Sequence, residues 1–509
     1  MKIFSSQQMH SIDLATLKSQ KISSLDLIER AATQVFNSIH GKLNGTDVAF
    51  HIFCGIGNNG GDGLVLSRLL IEHGYKVTTY IVNCSDKRSE NFLKNYDRLV
   101  AMDIPWPLQL RSEKDFPKLE ANDMVVDAIF GIGLNRPIVS WVINLIKYIN
   151  SSNTFVLSID IPSGLYADKA PDTKDGVIRA AVTFTFQTPK LVFFLPETAN
   201  YTRDFEILDI GLDQKIIEES RAGAVLLSKN MILSMYQPRE KFSHKGTYGH
   251  SLLVGGSYGK IGSMILATKA AMRVGSGLAT AYIPECGYTA LQTSVPTAMV
   301  ITDDNDNYIE AINYTVNANA IGIGMGMGTH KKTIMAFGNL LKKINDPIVI
   351  DADALNSIAS EKELANSIPA DSILTPHPKE LERLIGKWKD DFEKIEKAKQ
   401  YSKRYKCILV IKGAFTLIIN NDDVFINTTG NPGMATGGTG DVLTGMITGL
   451  LAQGYASLQA ALIAVYLHGL AGDLSIQNTG YQGLLATDLV ESIGKSFLKL
   501  FETKNSSNS

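Results

Sequence analysis

Asn431-Pro-Gly-Met-Ala-Thr-Gly-Gly-Thr-Gly-Asp441 runs without a break into Val442-Leu-Thr-Gly-Met-Ile-Thr-Gly-Leu-Leu451. A glycine-dense loop thus opens an apolar helix. Glycines let successive backbone N–H groups turn toward one point, and a helix N-terminus adds partial positive charge there, which together make a cradle for phosphate. A carboxylate at the mouth of that cradle repels the anion the loop attracts. Asp441 has a use there if it accepts a proton from a hydroxyl being phosphorylated, or steers a metal ion. The bland alternative is a helix cap, but a plain cap needs one glycine, not four.

Upstream of this loop, chemistry-bearing residues recur at the ends of short apolar strands. Gly322-Ile-Gly-Met-Gly-Met-Gly328 ends one strand and Asp351-Ala-Asp-Ala-Leu-Asn356 the next. Thr375-Pro-His-Pro-Lys-Glu380 and Lys412-Gly-Ala-Phe-Thr416 follow in the same way. Ligands of open parallel sheets bind beyond the carboxyl ends of the strands, so the series predicts one nucleotide-and-substrate cleft. The absence of Gly-x4-Gly-Lys-Ser/Thr excludes a P-loop ATPase.

The first half has its own strand–helix alternation: strands at 47–54, 75–82, 124–130, 154–160, 182–187 and 205–209, with helices at 63–73, 90–102 and 139–150. Continuous apolar strands separated by helices predict a parallel sheet covered on both faces. Residues 7–32 read as one or two amphipathic helices. The pattern loosens and becomes charged over 213–229, where we expect the domain boundary. A second α/β series follows, with a hairpin turned at Asn420-Asn-Asp-Asp423 and helices at 457–478 and 487–501 closing it.

Cys54-Gly-Ile-Gly-Asn-Asn-Gly-Gly-Asp-Gly63 contains the dinucleotide spacing Gly55-x-Gly57-x-x-Gly60, a weak signal alone. Asn59-Gly-Gly-Asp62 adds polar groups where a dinucleotide helix is small and apolar, which argues against an ordinary dehydrogenase. Strand ends also carry Asp127-Ala-Ile-Phe-Gly131 and Asp160-Ile-Pro-Ser-Gly164. Their oxygens suit a hard cation, or simply cap turns.

Over 509 residues the net charge is −2 and the charged fraction 20 %. Neither a nucleic-acid surface nor a membrane patch is expected. The four cysteines, Cys54, Cys84, Cys286 and Cys407, form no CxxC pair and are expected to be buried, reduced thiols, in keeping with a cytoplasmic protein. The start lacks a signal-peptide core, no apolar run is expected to reach membrane-spanning length, and the tail 503–509 is expected to be disordered.

Four fragments together carry a resemblance: His244-Lys-Gly-Thr-Tyr-Gly-His250, Gly255-Gly-Ser-Tyr258, Thr375-Pro-His-Pro-Lys-Glu380 and the Gly430–Asp441 loop. The second half is similar to ADP/ATP-dependent NAD(P)H-hydrate dehydratases of the ribokinase-like α/β fold. The resemblance implies that Gly326 and the segment His377, Pro378, Lys379, Glu380, Leu381, Glu382, Arg383 contact the hydrated nicotinamide. It implies that Lys412, Gly413, Ala414, Phe415 and Thr416, with Asn431, Pro432, Gly433, Met434, Ala435, Thr436, Gly437, Gly438, Thr439 and Gly440, hold the nucleotide. Asp441 is then the catalytic base facing the substrate hydroxyl. His377 is expected to shape the pocket or bond the carboxamide.

The first half resembles NAD(P)H-hydrate epimerases, a Rossmann-like parallel-sheet domain, through Gly57–Gly63, Asp127–Pro137 and Asp160–Gly164. This implies K⁺ held by Asn59, Asp127 and Ser163, and substrate along Asn58, Asn59, Gly60, Gly61, Asp62 and along Gly131, Ile132, Gly133, Leu134, Asn135, Arg136, Pro137. Asp160 is expected at the reacting centre as the catalytic acid/base. Ile132 stands where relatives commonly have Thr. The domains expected are 1–218, epimerase, and 226–504, dehydratase. Mg²⁺ and ADP as co-substrate are implied for the dehydratase. The expected partners are NAD(P)H hydrate and an adenine nucleotide, with neither nucleic acid nor membrane, in a homo-oligomer.

Overall fold

In the computed structural model residues 1–102 and 104–502 are described; the tail 503–509 lies outside them. The chain divides into two compact units, one built on Met1–Ala224 and the other on Val225–Lys389 and Glu393 onward.

In the first unit the strands lie in the order Leu108–Leu110, Lys76–Val82, Ala49–Cys54, Met124–Ala128, Phe155–Ile159, Val182–Phe186, Asp204–Leu208. Neighbours in this series pair in parallel. The chain works outward from Ala49–Cys54, then returns to place Met124–Ala128 on its other side. That reversal opens a crevice at the carboxyl ends of these two strands, where α/β sheets bind ligands. The anchoring side chains are apolar: Phe50, Ile52, Phe53 and Val126 are all within 1 % of full burial. Each is worth roughly 1.5–3 kcal/mol relative to exposure.

The polar motif Asn58–Asp62 is not a loop before the helix, as the expected start at residue 63 implied; the helix spans Asn58–Glu72. Its glycines allow close approach. A Cβ on Gly60 would lie 1.8 Å from the Gly55 carbonyl oxygen, and one on Gly63 would lie 2.7 Å from Cys54 Sγ and from Ala128 Cβ. The helix therefore begins directly over the sheet with its first turn facing the crevice. The N-terminal stretch forms two helices, Ser6–Gln20 and Ser24–Leu43, each opened by a reciprocal serine capping box.

Within the second unit the sheet order is Ala224–Leu226, Asp423–Asn427, Thr416–Asn420, Ile408–Ile411, Ile373–Leu374, Val349–Ile350, Ala320–Ile323, His250–Val254, Leu278–Pro284, Met299–Asp303. From Ile408–Ile411 to Met299–Asp303 the neighbours are parallel, and the hairpin Thr416–Asn420/Asp423–Asn427 is antiparallel. The parallel α/β organisation expected in both halves is present. The edge strands Leu108–Leu110 and Met299–Asp303 were not expected: their residues are half exposed and lack the continuous apolar run of a central strand.

Two expectations are corrected. The helix Ser457–Thr479 is long and apolar enough to cross a bilayer, but 67 % of its apolar window is buried in this unit's core, where Ile463, Ala464 and Leu467 are sealed from solvent. Cys54 and Cys407 are buried, whereas Cys84 is half-buried and Cys286 exposed. Cys286 falls in the short 3-10 turn Glu285–Gly287 beyond its strand, so strand hydrophobicity does not extend to it.

Candidate active sites

In the first unit a cavity of about 770 Å³ occupies the crevice. Asn59 and Asp62 enter it from the first turn of their helix, Gly131–Arg136 from the loop after Met124–Ala128, and Asp160 from the end of Phe155–Ile159. Asp160 holds a left-handed backbone, φ +67, at a cost of about 1–2 kcal/mol for a non-glycine residue. That turn aims its carboxylate back over the sheet. One oxygen accepts from the Ile132 backbone N–H at 2.9 Å, and the other faces Lys190 Nζ at 2.9 Å. Lys190 is 2 % exposed and also donates to Thr185 Oγ1, Thr188 O and Phe186 O. A buried ammonium held by a carboxylate and three further acceptors is fixed in place.

Further carboxyls share this cavity. Burial, with Asp160 adding to it, pushes Asp13 up to about 7. Burial, with repulsion from Asp160 and Asp13, holds Asp62 well above the usual carboxylate range. Asp13 therefore exchanges protons near neutral pH, and burial disfavours the charged form of Asp62.

Asp127 lies beneath, fully buried. It accepts from Ser158 Oγ at 2.8 Å, the Ser163 N–H at 2.8 Å, the Ile129 N–H at 3.2 Å and the Ser163 hydroxyl. Burial raises its pKa and these hydrogen bonds oppose the rise. Asn59 is 8 % exposed, yet neither its side-chain oxygen nor its nitrogen has a partner among the described residues. A Cβ on Gly131 would touch both Asp160 Oδ2, at 3.1 Å, and Asn59 Cγ, at 3.2 Å, so Asn59 and Asp160 close on one point. An orphaned buried amide beside carboxylate and hydroxyl oxygens fits a hard monovalent cation or a polar ligand.

In the second unit the helix Thr439–Ala452 starts at Gly438, whose φ of +91 only glycine adopts freely. Asp441 lies in its first turn. Burial, reinforced by Asp351, pushes the Asp441 carboxyl up to about 6, while Ser263 and Lys412 pull it down. Lys412 Nζ sits 2.9 Å from Asp351 Oδ1 and 4.0 Å from Glu380 Oε2. A Cβ on Gly440 would lie 3.3 Å from that ammonium, so Lys412 borders the glycine cradle. Burial works against the Lys412 charge, but Asp351, Glu380 and Asp441 outweigh it and hold its pKa above the ordinary lysine value. Asp351 is 1 % exposed and also accepts from Thr444 Oγ1 at 2.7 Å. These contacts tie two strand ends and the helix start into one polar cluster.

The loop before the helix is anchored from below. Asp473 accepts from the Gly430 N–H and from Asn431 Nδ2, both at 3.0 Å. His468 contacts Thr439 O at 2.9 Å through Nε2. Burial pushes its pKa down to about 4, so His468 is neutral and donates.

Several expected contact residues have structural duties. Leu381 is completely buried in the core. His377 caps the helix Pro378–Ile385 with Nδ1 and faces Glu380 with Nε2 at 3.3 Å. Met434 packs under the loop against Gly472, and Gly60 and Gly61 press on Gly55 and Ile28 rather than lining the cavity. The residues that sequence reading missed are Asp13, Lys190, Ser263, His468 and Asp473. Asp351 was legible as the head of a strand-end motif, without a role of its own. Among the described residues no cluster of His, Cys, Asp or Glu forms a metal cage.

Sequence comparison matches residues 251–495 to the NAD(P)H-hydrate dehydratase family and residues 24–192 to the YjeF-related protein N-terminus. The bifunctional NAD(P)H-hydrate repair enzyme Nnr of Moorella thermoacetica is 34 % identical over 96 % of this chain and 96 % of its own. The Escherichia coli enzyme of the same name is 32 % identical over 87 % and 84 %. Among solved structures, the ADP/ATP-dependent NAD(P)H-hydrate dehydratase of Bacillus subtilis, co-crystallised with ATP/Mg²⁺, is 30 % identical, covering 54 % of this chain and 99 % of that one with a TM-score of 0.48. With two such catalytic regions in tandem and full-length relatives above 30 % identity, this chain belongs to the bifunctional NAD(P)H-hydrate repair enzymes.

Proposed function

We propose that residues 226–504 dehydrate the S epimer of NAD(P)H hydrate at the expense of ADP, and that residues 1–218 interconvert its R and S epimers. Hydroxide is a poor leaving group from the hydrated nicotinamide ring. Phosphoryl transfer to that hydroxyl turns it into phosphate, and the lone pair of the ring nitrogen then expels it to restore the dihydropyridine. The protein must therefore supply positioning, a base and an anion cradle. Asp441 takes the hydroxyl proton, the amides of the loop 431–440 receive the transferring phosphoryl group, and Lys412 balances its charge. A carboxyl at about 6 on the first turn of the cradle helix is the observation that carries this reading: it is basic enough to accept a proton yet ionised at neutral pH. Mg²⁺, when bound, would shield the nucleotide phosphates; among the described residues no group of His, Cys, Asp or Glu forms a cage for it.

In the epimerase site Asp160 moves the proton as water leaves and re-adds on the other face. Lys190 holds Asp160 in position. Asn59, Asp127 and Ser163 would hold the K⁺, whose charge would order the substrate-facing loops. Substrate lies along Asn58–Asp62 and Gly131–Pro137, and in the other site along Gly326 and the 377–383 turn. We place the enzyme in the cytoplasm as a homo-oligomer, acting away from nucleic acid and membrane.

A stereochemically resolved time course tests the whole reading. The protein receives both hydrate epimers with ADP, Mg²⁺ and K⁺. Loss of both epimers, with NADH and orthophosphate appearing together, is expected. Consumption of one epimer alone, beyond spontaneous interconversion, overturns the epimerase assignment. A stable phosphorylated product in place of orthophosphate makes the second unit a kinase.

A further inference from the structure

The helix carrying Asp441 packs against the helix Ile261–Arg273 at unusually short range. A Cβ on Gly445 would lie 2.1 Å from Ala267 O, and one on Gly449 would lie 2.7 Å from Ala271 O. Both contacts advance by four residues in the same direction, so the helices run parallel in register. One step back, the ladder pairs Asp441 with Ser263. Each is the third residue of its helix. The two N-termini thus open side by side toward the same space, and glycine at 445 and 449 brings them close enough for side chains on the first turns to meet. Ser263 also abuts Gly326: a Cβ there would sit 3.3 Å from Ser263 Cβ.

We propose that Ser263 is a positioning residue for the dehydration reaction, its hydroxyl reaching across the parallel helix pair to orient the Asp441 carboxylate. This rests on the assignment of Asp441 as the base. Ser263 lowers the pKa of Asp441, the effect expected of a hydroxyl that donates to the charged form and so holds one oxygen while the other faces the substrate hydroxyl. Alanine at 263 suits a helix interior and leaves the backbone contacts of the ladder intact.

The charged groups around Asp441 are fixed on other elements. Asp351 and Asp353 raise its pKa and Lys412 lowers it. Lys260, at the N-cap of the Ser263 helix, is 3.8 Å from Asp353, and Glu380 is across Lys412. None of these moves with a change at 263. A hydroxyl donating to the charged carboxylate stabilises it, so its removal shifts the rising limb of the pH profile to higher pH.

The test is the pH profile of dehydratase kcat/KM, with purified S epimer and Mg-ADP, for the full-length wild type, Ser263→Ala, Ser263→Thr and Asp441→Asn. The same substrates throughout cancel their own titration. Ser263→Ala should move the rising limb upward by about half to one pH unit, a loss of about three- to ten-fold below the limb that shrinks toward pH 8. Ser263→Thr, which keeps the hydroxyl, should return the limb toward the wild-type position. A limb unmoved in Ser263→Ala, or an equal loss at every pH that Thr does not rescue, overturns the inference and leaves Asp441 as the base. Full activity in Asp441→Asn instead overturns the assignment beneath it.

Discussion

At the scale of single residues, Asp441 does two things that conflict. As the proposed base it must be a carboxylate, and its surroundings disfavour that charge. Because burial raises its pKa to about 6, its ionisation costs stability progressively as pH rises from the unfolded carboxylate range through 6, and nothing below that range. Asp441→Asn should therefore raise the melting temperature of the dehydratase unit by a few degrees at pH 8 and by less at pH 5, measured by calorimetry. The same change should lower dehydratase kcat/KM by about 10²- to 10⁴-fold while epimerisation, followed by chiral chromatography, persists. In the other unit, Lys190→Met leaves the Asp160 carboxylate without its cation. A loss of about 10²-fold or more in epimerisation is expected, with dehydration of supplied S epimer retained. Asp441 was legible because it closes a dense local motif. Lys190 and Asp13 were not: each stands alone in sequence, and only the parallel topology brings them over Asp160.

Elements set the geometry those residues need. The parallel pair Ile261–Arg273 and Thr439–Ala452 depends on backbone contact at Gly445 and Gly449. A methyl at 445 would have to occupy space 2.1 Å from a carbonyl oxygen. Gly445→Ala should push the helices apart, costing about 2–4 kcal/mol in chemical denaturation of that unit and most of its dehydratase activity. The contact made by these two glycines cannot be inferred from an apolar helix alone: the run 442–451 read correctly as a helix, but which glycines face a partner is settled by the neighbouring helix. The first-unit motif is a similar case. Its glycines were legible as a strand-to-helix turn, but the helix start at Asn58 rather than residue 63 follows from Gly60 and Gly63 packing flat on the sheet. Short edge strands such as Met299–Asp303 were illegible because half-exposed residues lack the apolar run that marks a central strand.

For the whole molecule, each unit is an α/β body built on a mainly parallel sheet, and the alternation of strands and helices announced both. The proposed function gives them different ionic needs. Substituting Na⁺ or tetramethylammonium for K⁺ should slow epimerisation and leave dehydration of the S epimer nearly unchanged, whereas chelating Mg²⁺ should do the reverse; both are read from the same stereochemically resolved assay. Equal sensitivity of the two reactions to K⁺ would contradict the site at Asn59, Asp127 and Ser163.

The proposed glycine cradle and the proposed base meet in one turn of one helix, within the four residues from Gly438 to Asp441. Such an arrangement makes the catalyst self-timed. An incoming phosphate brings negative charge next to Asp441 and so strengthens it as a base at the moment the phosphoryl donor arrives. Before that, the same carboxylate is a weaker base, and a hydrate waiting alone in the pocket keeps its proton. Mutational drift in this turn cannot adjust nucleotide affinity without also adjusting proton transfer, so a lineage changing its preferred donor has to do so through residues farther along the nucleotide.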